Sequence, residues 1–364
     1  MIRAVAQPIQ AIAALALLGV GCGKSEAVER VVELWHYDFP TAAAPPGIGP
    51  EHRTLGGVKE ATGSTGRFVT LDQLTGLPVE GPYMDIPLTD HAPVMVGSTI
   101  ILITKIGTIV GLDLAGQTRF MKPPIGGPGQ TGPLLAVGAE VRFGTADGLV
   151  VALDGATGDE RWHAAVSDPV LTRVAAGPDG RTYATTDLGR VVGFDGSGQL
   201  VFDQTVPAPA GAPAVTGAGD IAVGSADGVV LFTANGTQKW KHPRAARVVA
   251  TKALGNDVLA WGEDGIFERL SDGGAVKLSF RSRPMTDPNP PPLYAEPVTL
   301  GSDAFGLLDA SGMAHLVDAA GQERASLSAS MDILPEVAVS DFTSLIVADK
   351  SSLRAIQFTL MPAE

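Results

Sequence analysis

The most informative segment of this chain reads Gly148-Leu-Val-Val-Ala-Leu-Asp-Gly-Ala-Thr-Gly-Asp-Glu-Arg-Trp162. Asp147 precedes this segment, and the pair Asp147-Gly148 is typical of a tight type I′ hairpin, because such a turn needs residues that adopt positive φ values. The surrounding sequence predicts short strands at 141–145, 149–153, 160–165 and 170–175. The segment therefore predicts a unit of four short antiparallel strands.

The same unit recurs along the chain. Its first glycine is repeated at near-constant spacing, and a degenerate last copy occupies 351–357; the glycines are Gly66, Gly107, Gly148, Gly189, Gly228, Gly265 and Gly312. A four-stranded repeat of about 40 residues is the signature of a propeller blade. The chain is therefore predicted to be all-β, a β-propeller of eight four-stranded blades. Seven blades with an irregular segment are the alternative.

The two ends of the chain are predicted to meet in one blade. After Ser351 only 13 residues remain, too few for a complete blade, and 31–39 form an isolated strand that contains Trp35. This N-terminal strand is expected to complete the last blade, which would leave no unpaired gap in the ring. Residues 40–65 should hold the inner strands of the first blade, but their Pro-, Ala- and Gly-rich sequence is typical of a loop.

Composition excludes several classes of protein. The chain has 26 basic and 39 acidic residues, a net charge of -13, which argues against nucleic-acid binding because phosphate neutralisation needs clustered Lys and Arg. Its 45% apolar content excludes disorder as the main state. A single cysteine excludes an internal disulfide framework and a cysteine-based zinc site.

The N-terminus has the features of a bacterial lipoprotein signal. Arg3 precedes an apolar run at 9–20, and the only cysteine, Cys22, follows directly. This resembles a lipobox, although Gly19 stands where that pattern favours leucine. We expect a signal peptide at 1–21, lipidation of Cys22, a tether at 22–30 and one propeller domain at 31–364. The protein would then be an outer-membrane lipoprotein of the bacterial cell envelope, facing the periplasm or the surface; an ordinary signal or a buried thiol is the alternative.

The segment 148–162 resembles the pyrroloquinoline-quinone (PQQ)-type propeller repeat: a glycine, an apolar strand, Leu-Asp, Thr-Gly and a tryptophan. The resemblance covers roughly 31–360. That repeat class contains quinoprotein dehydrogenases and non-enzymatic propellers, including the BamB-type lipoprotein of the outer-membrane β-barrel assembly machinery. Both kinds imply an eight-bladed ring.

Catalytic residues are not indicated. The quinoprotein dehydrogenases carry a vicinal cysteine pair and carboxylates that hold calcium, whereas this chain has one cysteine and no Asp-x-Asp-x-Asp-Gly loop. Aspartates recur at equivalent turn positions, where they are expected to cap backbone N–H groups; they are Asp72, Asp113, Asp154, Asp195 and Asp318. We predict no enzymatic activity, no cofactor and no metal.

Binding is the predicted function. In a propeller, the turns between second and third strands and the connections between blades open on one face, and loops on a rigid scaffold carry function. The longest connection occupies 281–294, and Arg281, Arg283, Met285 and Tyr294 are its candidate partner contacts; loop drift without function is the alternative. The sequence favours a monomeric, non-catalytic scaffold for protein partners, with outer-membrane β-barrel assembly as the process that the resemblance suggests. A surface or periplasmic propeller for a peptide or glycan is the second interpretation, and a quinone-dependent dehydrogenase the third.

Overall fold

The structure is a computed structural model. It describes 30–38, 43–49, 53–59, 66–79, 85–86, 91–104, 106–126, 130–282, 292–293, 295–301, 304–328, 338–339, 344–348 and 352–359. All regular structure in these ranges is β-strand, and they include no helix of the length and hydropathy that a membrane span requires. Cys22 and the predicted signal peptide lie outside them, as do Arg283, Met285 and Tyr294.

The described strands form eight four-stranded antiparallel sheets, which we number as blades in chain order. The first strand is β1 (Arg30–Asp38). Blade 1 contains β2 (Ala43–Gly49), β3 (Arg53–Lys59), β4 (Gly66–Asp72) and β5 (Asp85–Ile86). Blade 2 contains β6 (Val94–Val96), β7 (Thr99–Ile103), β8 (Ile109–Leu112) and β9 (Thr118–Lys122). Blade 3 contains β10 (Leu135–Val137), β11 (Glu140–Gly144), β12 (Leu149–Asp154) and β13 (Glu160–Ala165).

The next four blades follow the same order. Blade 4 contains β14 (Ala175–Ala176), β15 (Thr182–Thr185), β16 (Arg190–Phe194) and β17 (Leu200–Thr205). Blade 5 contains β18 (Ala214–Val215), β19 (Ile221–Ser225), β20 (Gly228–Phe232) and β21 (Gln238–Pro243). Blade 6 contains β22 (Val248–Leu254), β23 (Asp257–Gly262), β24 (Ile266–Leu270) and β25 (Val276–Arg281). Blade 7 contains β26 (Val298–Leu300), β27 (Ala304–Leu308), β28 (Met313–Val317) and β29 (Glu323–Ser328).

Blade 8 joins the two ends of the chain. It contains β30 (Ala338–Val339), β31 (Ser344–Ala348) and β32 (Ser352–Thr359), and β1 is its outer strand. β1 runs antiparallel to β32, from Arg30 opposite Thr359 to Asp38 opposite Ser352. The predicted closure by the N-terminal strand is confirmed, and so is the prediction of eight blades.

The strands of a blade differ in burial. First strands of neighbouring blades contact each other, which places them around the central channel. Second and third strands are almost wholly buried, because side chains on both of their faces pack against the adjacent blades; one such cluster joins Ile101 and Ile103 of blade 2 to Phe143 and Val151 of blade 3. Outer strands alternate between exposed and buried residues, as one-sided burial requires.

An aromatic residue of each of several outer strands packs on the following blade. The Trp35 indole Nε1 donates a hydrogen bond of 2.8 Å to the backbone carbonyl of Gln73, and a Cβ at Gly76 would lie 2.6 Å from the Trp35 ring. Phe120 meets Gly158 in the same way, and Trp162 meets Gly198. Trp35 thus occupies the place of an outer-strand aromatic, as predicted.

The structure settles two points about the strands. Residues 40–65 contain β2 and β3, the inner strands of blade 1 that the repeat predicts, although their composition is typical of a loop. Their small residues reflect crowding near the channel: a Cβ at Gly47 would lie 2.2 Å from the carbonyl oxygen of Pro93. The strand predicted at 170–175 is shorter and lies later in the chain: it is β14, which begins at Ala175, whereas Val170 belongs to the blade connection, where its N–H bonds to the Thr145 carbonyl.

Candidate binding surfaces

The ring has two faces with different loops. Turns between second and third strands and connections between blades lie on one, which we call the connection face. Turns between first and second strands and between third and outer strands lie on the other, which we call the entry face. β1 begins at Arg30, opposite Thr359 at the end of β32. The other blades have their third-to-outer turn at this point, so the chain enters the ring on the entry face.

The repeated aspartates lie in turns of the entry face and cap them. Asp154 Oδ1 accepts hydrogen bonds of 2.9 Å from the Ala156 N–H and 3.0 Å from the Thr157 N–H. A side-chain bond from Arg161, together with these amides, lowers the pKa of the Asp154 carboxyl to about 2. Backbone amides bond to the equivalent carboxylates in four more blades, those of Asp72, Asp113, Asp195 and Asp318. The predicted capping role is confirmed for all five.

Carboxylates in the turns of the connection face fall into two groups. In blade 5, Asp227 forms a 2.6 Å ion pair with Lys241, and in blade 6 Asp264 pairs with Arg244. In blades 3 and 4, Asp147 and Asp187 are exposed, and no ion pair within the described residues neutralises them. Among the described turns of this face, unpaired negative charge is therefore concentrated on blades 3 and 4.

Large apolar side chains flank these free carboxylates. Ile106, in the second-to-third turn of blade 2, is 58% exposed, and Leu188, in that of blade 4, is 69% exposed. We call Ile106, Asp147, Asp187 and Leu188 the acidic rim. Exposed apolar side chains beside unpaired charge are typical of a protein-interaction surface, although single exposed leucines are common.

The sequence placed the partner contacts elsewhere on this face, on the connection 281–294. Arg281 is the last residue of β25, lies half-buried opposite Ile266, and has an Nε without a hydrogen-bond partner. At the far end of the connection, the Pro292 carbonyl accepts a 2.8 Å bond from the Ala310 N–H, and the buried Leu293 donates to the Gly262 carbonyl. Both described ends are therefore fixed to blades 6 and 7.

Three charged residues form ion pairs across the central channel. Glu296 of blade 7 accepts bonds of 2.8 Å from Arg173 of blade 4 and 2.7 Å from Lys252 of blade 6. Burial raises the pKa of the Glu296 carboxyl, but the two cations outweigh burial and hold that pKa below its usual range. A cavity of about 240 Å³ lies beside them, lined mainly by small residues of β14, β18 and β22.

A second charged cluster lies between blades 6 and 7. The buried His315 is 2.8 Å from Glu323 through Nδ1 and 3.5 Å from Asp309 through Nε2, and its ring packs on Phe280 at a centroid distance of 5.2 Å and a tilt of 56°. Burial lowers the pKa of His315, but its hydrogen bonds to Asp309 and Glu323 prevail and raise it above the usual value. His315 and Asp309 are buried and only Glu323 reaches the surface, so the role of the cluster is structural.

Sequence comparison identifies the repeat. A family model described as outer membrane protein assembly factor BamB matches residues 146–282. Over this segment the chain is similar to PQQ-type, BamB-like propellers. No curated protein sequence matches it.

Solved structures confirm the propeller fold. BamB from Moraxella catarrhalis is 18% identical, with 90% of this chain and 100% of that chain covered and a TM-score of 0.53. The C-terminal WD40 domain of Sif2 is 11% identical, covering 93% and 100% at a TM-score of 0.73. Sqt1 of Chaetomium thermophilum, bound to the N-terminus of ribosomal protein L10, is 13% identical, covering 89% and 98% at 0.72. Identities this low show the fold alone.

The described residues around the channel cavity do not fit the calcium ion that some PQQ-type proteins hold. Calcium takes six to eight oxygen ligands. The channel cavity offers one carboxylate, that of Glu296, and two cations already hold it. The described part of the chain contains no group of three or more His, Cys, Asp or Glu side chains that could hold a metal ion.

Sequence analysis missed the acidic rim and the channel cluster. Ile106, Asp187 and Leu188 occupy turn positions at which the repeat pattern sets no residue type, and Asp147 belongs to a predicted Asp-Gly turn, in which nothing signals an unpaired carboxylate. Lys252 could have been singled out from the sequence, because it is the only charged residue of β22, an inner strand whose other residues are apolar or carry a hydroxyl group. Arg173 and Glu296 are 123 residues apart, and nothing in the sequence pairs them.

Proposed function

We propose that this protein is a lipid-anchored, non-catalytic scaffold that binds a protein partner through its connection face. One observation carries the proposal: the chain enters the ring on the opposite face, at Arg30, which leaves the exposed Ile106 and Leu188 of the acidic rim free for a partner. The closed ring of eight blades supplies the rigidity that a binding surface needs.

The anchor is Cys22, the lipidated first residue of the mature protein after removal of 1–21. Residues 23–30 form the tether, and at no more than about 3.6 Å per residue they reach at most roughly 29 Å. Such a short tether keeps the entry face towards the membrane and the connection face away from it. The protein is then an outer-membrane lipoprotein of the bacterial envelope.

Relatives support a protein as the partner. The matching family model is described as an outer-membrane assembly factor, and the structurally similar Sqt1 is bound to the N-terminus of ribosomal protein L10. The free carboxylates of Asp147 and Asp187 favour a segment with basic side chains, and Ile106 and Leu188 favour apolar ones. β-Barrel assembly in the outer membrane is the process that we assign. Arg281, Arg283, Met285 and Tyr294 of the connection 281–294 stay further candidate contacts.

Site-specific photo-crosslinking in intact cells tests the proposal. A photo-reactive amino acid replaces Leu188 on the connection face or, as the matched control, the half-exposed Leu200 at the start of an outer strand near the entry face. We expect a discrete protein adduct from position 188 and none from position 200. Equal adducts from both positions, or none from 188, would refute binding through the acidic rim.

The channel cavity favours a second function, capture of a peptide ligand. Arg173 is half-exposed at the cavity and makes one ion pair, with Glu296, so its guanidinium retains donors for a carboxylate. Arg173→Ala would abolish capture of such a ligand and leave the Leu188 crosslink unchanged. If instead peptide capture is lost in Leu188→Ser and retained in Arg173→Ala, the result favours the scaffold function.

A further inference from the structure

Exposed leucines are concentrated in two turns of the entry face. Leu74 and Leu77 lie in the third-to-outer turn of blade 1 and are 52% and 53% exposed. Leu114 lies in the same turn of blade 2 and is 37% exposed. We call these three residues the leucine patch.

The equivalent turns of blades 3 to 7 are different. They are fully described and contain only small or polar residues; the exposed ones include Ala156, Ser197, Asn235, Asp272 and Ala320. Turn geometry does not require leucine, because the same aspartate or hydroxyl caps and the same positive-φ glycine recur in these blades. The leucines of blades 1 and 2 therefore reflect something outside the turn.

The leucine patch lies next to the point where the chain enters the ring. Blade 8 has no covalent third-to-outer turn, and Arg30 opposite Thr359 occupies its place. The hydrogen bond from Trp35 to Gln73 fixes the turn of blade 1 to this entry strand. Blade 2 follows, since Leu55 of blade 1 packs with Ile100 of blade 2. The chain entry on blade 8 and the leucines on blades 1 and 2 thus lie on three consecutive blades of the ring.

The charges of the described residues in this part of the entry face do not oppose contact with a lipid surface. The Asp72 carboxylate accepts bonds from the Leu74 and Thr75 N–H groups, and the Asp113 carboxylate accepts one from Gln117. Arg30 is exposed at the entry point. A neutral membrane surface can therefore approach these turns, whereas the net charge of -13 of the whole chain opposes strongly anionic lipid.

We propose that the leucine patch rests on the membrane surface, with Leu74, Leu77 and Leu114 inserted at the boundary between head groups and acyl chains. The inference rests on the proposed anchor at Cys22. Alone, three leucines bind lipid weakly, but a tether of at most roughly 29 Å makes the contact intramolecular and raises its effective concentration. Membrane contact at blades 8, 1 and 2 fixes the orientation of the ring and directs the acidic rim away from the bilayer.

Lipid photo-labelling of the full-length lipoprotein tests this contact. The protein is reconstituted in vesicles of phosphatidylethanolamine and phosphatidylcholine that contain a lipid with a photo-reactive group in its acyl chain. After illumination and digestion, mass spectrometry locates the lipid adducts. We expect adducts at 74–77 and 114 and none at Leu188; Leu200, half-exposed on blade 4, is the matched control and stays unlabelled. The triple variant Leu74→Ser, Leu77→Ser, Leu114→Ser should lose the labelling, whereas Leu200→Ser should retain it.

The same sample separates failure of the patch from failure of the anchor. The intact mass shows whether Cys22 carries lipid. If it does and the adducts are evenly distributed or absent from the leucine patch, the patch proposal is wrong and the anchor stands. If Cys22 carries none, the anchor proposal is wrong; its thiol, the only one in the chain, is then coupled to a maleimide phospholipid and labelling is repeated, so that the patch is still judged by the same adducts.

Discussion

Trp35→Ala should destabilise the ring at its closure. The Trp35 side chain is 7% exposed, packs on Gly76 and bonds to the Gln73 carbonyl at 2.8 Å. Truncation of a buried tryptophan to alanine costs about 3–5 kcal/mol, and about 1 kcal/mol of this loss comes from the hydrogen bond. We therefore expect the free energy of unfolding to fall by about 4 kcal/mol, a large part of the roughly 5–15 kcal/mol typical of a domain.

Equilibrium denaturation followed by far-ultraviolet circular dichroism measures this loss. Trp162→Ala is the matched comparison, because Trp162 is also 7% exposed and packs on Gly198, but its Nε1 has no hydrogen-bond partner. Its cost should be lower by about 1 kcal/mol. His36→Ala, an exposed neighbour on β1, should change stability by less than about 0.5 kcal/mol. If Trp35→Ala costs no more than His36→Ala, β1 does not close the ring as an outer strand.

Three further predictions concern single sites. Gly158→Ala should cost more than Gly219→Ala: both glycines have positive φ, but only the Cβ at 158 would meet Phe120, at 2.4 Å; equal losses in thermal unfolding would contradict this packing. Asp154→Ala should lower stability by about 1 kcal/mol in urea unfolding through loss of its turn cap, and an unchanged midpoint would count against capping. His315 has a raised folded pKa, so its ion pairs should stabilise the protein fully below the unfolded pKa of about 6.5 and cease to do so as pH rises through the folded value. Stability of wild type minus His315→Gln, measured against pH, should show that decline, and a flat difference would contradict it.

Much of the fold follows from the sequence because each blade repeats the same local chemistry. Asp-Gly turns, apolar second and third strands and an outer aromatic residue recur, and together they predict the number of strands and their order. The inner strands β2 and β3 could not be recognised, because the glycines and alanines that allow close approach near the channel also occur in loops. Closure by β1 was predictable, since Trp35 matched the other outer-strand aromatics.

The candidate binding surfaces were less predictable. Spacing predicted that the longest connection begins where β25 ends, at Arg281 on the connection face, and its role in partner binding stays a prediction. The acidic rim depends on which carboxylates find cations: Asp227 pairs with Lys241, whereas Asp147 does not pair with a described cation. Such pairing is decided by side chains of the folded ring, and a single sequence does not reveal it.

Crosslinking of the unaltered lipoprotein in intact cells, followed by identification of what co-purifies from the membrane fraction, tests the proposed scaffold function most directly. The account predicts recovery of an envelope protein, a component of the β-barrel assembly machinery, in an amount that falls when Leu188 is replaced by serine. Recovery of lipid alone, or of the same proteins in the same amounts after Leu188→Ser, would contradict it.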